Sequence, residues 1–211
     1  MSLTAGSMTC RCYCLEDPPP KTFLANVERD MKRHAFRPVQ VERSPRSWGW
    51  VNAQNVLDTD LTLEKIRFDD FLVFGLRVDR VTVNGRLLKA HVAAAIEKAL
   101  RQRERKTLSR DERTAFVEKV RLDLMAKQMP LTGLYDAAWS LKTHHVYFSA
   151  TGDALNQEFC DLFSDTFHTA LTPLFPFLRA ERKAKSEGLV DELLATMPVQ
   201  LSPQYTDVSS R

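Results

Sequence analysis

Residues 71–78, FLVFGLRV, set Leu72, Phe74, Leu76 and Val78 in alternation with Val73, Gly75 and Arg77. A period of two presents one face of a strand to a core, and a register slip of one residue would move every apolar side chain to the wrong face. The chain is therefore committed to a sheet. The phase breaks at Asp79 and Arg80, after which Val81 and Val83 carry the apolar side, so a bulge or a bend between two strands is expected there. A second pair of strands is read in AAWSLKTHHVYFSAT, turning at Lys142 to His144, and a short one in SWGWV around Gly49.

Between these strands the period changes to that of a helix. From Asn84-Gly85, helix-forming residues place Leu87, Leu88, Val92, Ile96, Ala99 and Leu100 on one side. Ser109 followed by Glu112 is a capping-box pattern opening a second helix, whose stripe is Phe116, Val120, Leu124 and Met125. Together they form a helical hairpin over residues 86–128. Another helix is predicted from Phe23, Leu24, Val27 and Met31, with Thr22 as N-cap. A strongly amphipathic one carries Leu155, Phe159, Leu162, Phe163 and Phe167 inward, with Cys160 close to that face. Thr172 to Phe177 reads as a last edge strand. The order β, α, β, β, α, α, β, β, α, β indicates an α+β fold: a curved antiparallel sheet with helices on one face and a protruding helical hairpin. Residues 1–8 read as a vector-derived leader, 9–178 as this domain, and 179–211 as a C-terminal helix and polar tail.

The cysteines restrict the chemistry. Cys10, Cys12 and Cys14 alternate in MTCRCYC, and i, i+2 neighbours on a strand stand ~7 Å apart, too far for a disulfide. The spacing is not that of a zinc site. The three are expected to face the core as small apolar groups, with Arg11 and Tyr13 outward, in a reducing, cytoplasmic setting. No apolar stretch approaches the ~20 residues of a membrane span. Nucleophile elbows, phosphate loops and paired zinc histidines do not occur. Asp69-Asp70 and His144-His145 are best read as turn residues, and His168 as a partly buried polar group. Tyr13, Trp48, Trp50 and Tyr147 are expected to pack rather than to form a stacking platform for bases. The expected protein is not an enzyme and has neither cofactor nor metal.

Charge is concentrated. Residues 86–113 hold nine basic and four acidic side chains, a net +5 in a chain whose total is +3, so the remainder carries −2. A cationic band of this kind attracts phosphate backbones by counterion release without reading bases.

The strings MKRHAFRPV, SWGWV, FLVFGLRVDRVTVNGRLLKAHVAAAIEKAL, LSRDERTAFVEKVRLDLM and AAWSLKTHHVYFSAT, in this order over roughly residues 9–177, resemble the recombination-associated RdgC family. That family comprises bacterial proteins that bind duplex DNA without sequence preference and restrain the RecA recombinase. The resemblance implies non-specific double-stranded DNA binding, a homodimer, a recombinase-pathway partner and a nucleoid-associated location. The expected DNA contacts are Lys89, Arg101, Arg103, Arg105, Lys106, Arg110 and Arg113, foremost Lys89, Arg105, Lys106 and Arg110. Two departures stand out. About a hundred further residues of the family have no counterpart, and its proline-arginine-alanine-phenylalanine turn is replaced by KQMPLTG, which bears on the contact that closes the family's ring. An alternative is therefore a protein-interaction or scaffold module that kept the fold and lost the DNA-binding ring.

Overall fold

A computed structural model describes residues 9–15, 17–19, 22–102 and 107–196. The strands are β1 (Arg11–Leu15), β2 (Arg46–Val51), β3 (Arg67–Phe68), β4 (Phe71–Arg80), β5 (Leu131–Ser140), β6 (His145–Phe148) and β7 (Leu171–Pro173). The helices are α1 (Phe23–Arg33), α2 (Leu63–Ile66), α3 (Gly85–Gln102), α4 (Arg110–Met125), α5 (Asp153–Phe167), α6 (Pro176–Glu187) and α7 (Val190–Ala195). The fold is α+β. Among the described residues, seven strands form one open antiparallel sheet in the order β2-β4-β5-β6-β1-β7, with β3 paired to β4. The β3–β4 turn is Asp69-Asp70, with Asp69 at φ 54°, a left-handed position that Asp tolerates better than most residues. The turn reading of that pair holds.

Register fixes the inner face. Trp50 pairs with Leu76, Leu72 with Trp139, Phe74 with Ala137, Ala137 with Phe148, and Val146 with Tyr13, so all of these point to one side. On that side α1 contributes Phe23, Val27 and Met31, and α5 contributes Phe159, Leu162, Phe163 and Phe167. Phe159 stacks on Phe148 with centroids 3.9 Å apart, and Phe23 meets Trp139 at 4.5 Å. Two of the polar groups drawn into this core find partners: Trp50 Nε1 donates to Thr166 Oγ1 at 2.8 Å, and the Tyr13 hydroxyl donates to Asn156 Oδ1 at 2.6 Å, whereas the buried Trp139 Nε1 has none among the described residues.

Several expectations need correction. The phase of β1 is the opposite of the one expected: Tyr13 and Leu15 enter the core, Cys10 is exposed, Cys12 is half-buried, and Cys14 is buried on the other face beside the Thr172 carbonyl at 3.3 Å. Tyr13 and Leu15 remove more apolar surface from water than thiols do, and the hydroxyl finds Asn156. Arg11 shares the inner parity at the strand end, where its guanidinium reaches Asp153 at 2.6 Å. No bulge interrupts β4, which keeps a continuous register with β2 and β5 up to Arg80. Val81 lies past the strand end and is buried there, its N–H donating to the Pro45 carbonyl. Trp48 is 45% exposed beneath the Arg46 guanidinium rather than packed in the core. His168 is exposed and caps α5 in a left-handed conformation. The last strand is only Leu171–Pro173, because Pro176 opens a helix instead. α2 and β3 were not anticipated.

The segment joining β4 to β5 is the helical hairpin. α3 and α4 pack on each other and not comparably on the sheet. Ser109 forms the full capping box with Glu112, as expected. Of the anticipated stripes only Val92, Ala99 and Met125 are fully buried.

The described residues from 174 to 196 belong to a second unit. Within it, α6 ends at Gly188, whose φ of 73° suits glycine, and Lys185 pairs with Glu181 at 2.7 Å. The expected leader, residues 1–8, and the end of the tail lie outside the described residues.

Candidate nucleic-acid interface

α3 begins where the Asn84 side chain accepts the N–H groups of Arg86 at 2.9 Å and Leu87 at 3.3 Å, satisfying donors that a helix start leaves open. This anchors the first turn and so places Arg86 and Lys89 near the sheet end of the hairpin. At the far end, the capping box orients Arg110 and Arg113 on the first turn of α4.

Of the seven expected contacts, Lys89, Arg101, Arg110 and Arg113 are described and exposed. Arg103, Arg105 and Lys106 lie outside the described residues. Arg101 is held by Glu97 one turn earlier, at 2.5 Å, so its charge is largely cancelled locally. Lys89, Arg110 and Arg113 have no carboxylate within ion-pair distance among the described residues. At 3.6 residues per turn, Arg101 sits about 120° round the helix from Lys89. Lys89 shares a side with Ile96, seven residues on. Ile96, Leu100, Leu108 and Arg113 line one cleft between the helices, of about 470 Å³, with Glu97 as its one acidic side chain. Lys89 therefore stands on this side of α3, and Arg113 reaches the same cleft from α4.

The opposite wall was missed. His91, Lys98 and Lys127 surround a second cleft of about 330 Å³ floored by Ala94 and Ala95, with Asp123 as its one acidic side chain. The seven-residue spacing of His91 and Lys98 was the available signal, since it returns both to one side of a helix. Lys127 comes from the end of α4 and could be placed only by the antiparallel packing. The cations thus lie on two walls rather than in one band.

Elsewhere the chemistry is structural. Among the described residues no group of three or more His, Cys, Asp or Glu side chains could hold a metal ion. No described helix is long and apolar enough to cross a membrane. Burial pushes the Cys160 thiol up from its usual value and the Tyr13 hydroxyl up to about 12, which keeps both protonated beside each other and away from nucleophilic chemistry. His144 sits at φ 56° in the β5–β6 turn, and His145 begins β6.

No protein-family model matches the chain, and no curated protein matches its sequence.

Proposed function

We propose that this chain is a non-enzymatic, sequence-independent double-stranded DNA-binding protein of RdgC-like kind, acting as a homodimer on the bacterial nucleoid and modulating recombination alongside a recombinase-pathway protein. The observation that carries the reading is the exposed hairpin on which Lys89, Arg110 and Arg113 have no carboxylate within ion-pair distance among the described residues. Their attraction to phosphate needs no base-reading group. Fluorescence anisotropy on unrelated duplexes at two salt concentrations tests it. Similar affinities that weaken steeply with salt are expected, and no binding at low salt removes the reading.

A protein-interaction module is the second reading, favoured by the apolar side chains at the foot of the hairpin: Met129 is 89% exposed and Leu131 68%. Charge reversal at Arg105 and Lys106 would abolish DNA binding under the first reading and leave a protein partner's binding untouched under the second.

A further inference from the structure

β5 is paired along its whole length with β4 but with β6 only over Ala137 to Trp139. Among the described residues, its first half therefore has one unoccupied edge. Asp136 still uses that edge, donating to Ser149 Oγ at 2.7 Å and accepting from the Ser149 N–H at 2.9 Å. By the alternation of an antiparallel ladder, the N–H and C=O groups of Thr132 and Leu134 face the same way, and Thr132 and Leu134 are both exposed. The odd-numbered residues Leu131, Gly133 and Tyr135 bond to β4 instead. An exposed strand edge of this kind templates the addition of another strand.

On the inner face the edge borders a groove of about 710 Å³, lined by Val78, Leu131, Gly133, Tyr135 and Leu155 with charge at its rim. The Tyr135 ring lies over Gly133, where an added Cβ would stand 2.9 Å from it. The rim charge is uneven. Arg46 and Arg80 are directly opposed across β2 and β4, a repulsive pairing. Glu158 relieves it by taking Arg46 in a two-pronged ion pair at 2.5 Å, which leaves exposed Arg80 with no carboxylate within ion-pair distance among the described residues.

We propose that the edge at Thr132 and Leu134 receives an extended peptide strand from another protein, with apolar side chains at alternate positions entering the groove and a carboxylate reaching Arg80. The unpaired backbone groups demand an extended occupant, the lining demands alternate apolar residues, and the uncompensated guanidinium demands an acid. The inference rests on the protein-interaction reading and is independent of the cations on the hairpin.

A phage-displayed library of random twelve-residue peptides, panned on the full chain, tests it. Enriched peptides are expected to alternate apolar residues around an acidic one. Leu134→Pro removes the edge donor and fills the slot while sparing the ladder to β4, and it is expected to lower peptide affinity at least tenfold. Arg80→Glu, a surface change, is expected to lower it comparably and serves if Leu134→Pro does not fold. Peptides that bind both variants unchanged would overturn strand addition while leaving the interaction module standing. A library that yields no enriched peptide overturns the inference. So does sedimentation showing self-association that Leu134→Pro abolishes, since a second copy would then hold the edge.

Discussion

Replacing Lys89, Arg110 and Arg113 together by glutamine removes three exposed cations from the hairpin without touching a buried residue. Each phosphate contact contributes about 0.9 to the slope of log affinity against log salt, so three contacts flatten that slope by about 2.7. Between about 50 and 200 mM salt, the unaltered protein then loses roughly 40-fold more affinity than the triple variant. The control follows from the Glu97–Arg101 pair: glutamine at both positions deletes an ion pair, keeps net charge unchanged, and removes no phosphate contact. Its slope should match the unaltered protein, at a cost to helix stability of only about 0.3–0.5 kcal/mol. Anisotropy titrations of one labelled duplex across a salt series, with circular dichroism confirming helicity, give both slopes. A triple variant with an unchanged slope would refute the assignment of these three cations as phosphate contacts. So would a pair variant that flattens the slope as much.

Gly49→Ala should destabilise the sheet edge, because the new Cβ would stand 2.5 Å from Phe36 Cα and 2.6 Å from Phe36 N, backbone atoms that cannot swing away. A cost of about 3 kcal/mol is expected, read by thermal melting as a fall of roughly 6–12 °C, whereas Gly85→Ala, with open space around it, should be neutral or slightly stabilising. Phe159→Ala empties the centre of the aromatic core and should cost about 3–5 kcal/mol in urea denaturation. Asp79 is 2% exposed; burial works to raise its pKa, but hydrogen bonds from Arg77 and Thr132 outweigh that and hold it below the usual carboxylate range. Its folded pKa being depressed, it adds stability above the unfolded value of about 3.9 and loses it as pH falls through the folded value. The stability gap between the unaltered protein and Asp79→Asn should accordingly be wide at neutral pH and shrink below about pH 4, as urea midpoints would show.

Elements that depend on local pattern were legible in the chain. The alternation of β4, the amphipathic stripe of α5 and the capping box of α4 each carry their signal within one or two turns or strand repeats. What was misread depends on partners far along the chain. For β1, MTCRCYCL offers two interleaved apolar sets of similar weight, and the choice is decided by Asn156, which receives the Tyr13 hydroxyl from α5. Val81 mimicked a bulge because it is buried just past the end of a strand rather than inside one. At the candidate interface, sequence clustering located the charge but not its distribution round a helix. Glu97 neutralises Arg101, and Lys127 joins His91 and Lys98 only once α3 and α4 are antiparallel.

The place of the hairpin in the topology bears on its purpose. β4 and β5 are adjacent antiparallel strands, and Arg80 lies opposite Leu131, so a turn of about two to five residues would suffice to join them. The chain instead inserts two helices of 18 and 16 residues that bury Val92, Ala99 and Met125 and leave the aromatic core to the sheet, α1 and α5. Most helical stability in proteins comes from packing an amphipathic face, and so little buried surface barely offsets the conformational entropy that ordering these helices costs. Such an insertion contributes little to folding the sheet, which is consistent with the proposal that its exposed walls meet a ligand. Among the described residues Lys89, Arg110 and Arg113 have no carboxylate within ion-pair distance, and under the DNA-binding proposal a polyanion would compensate them.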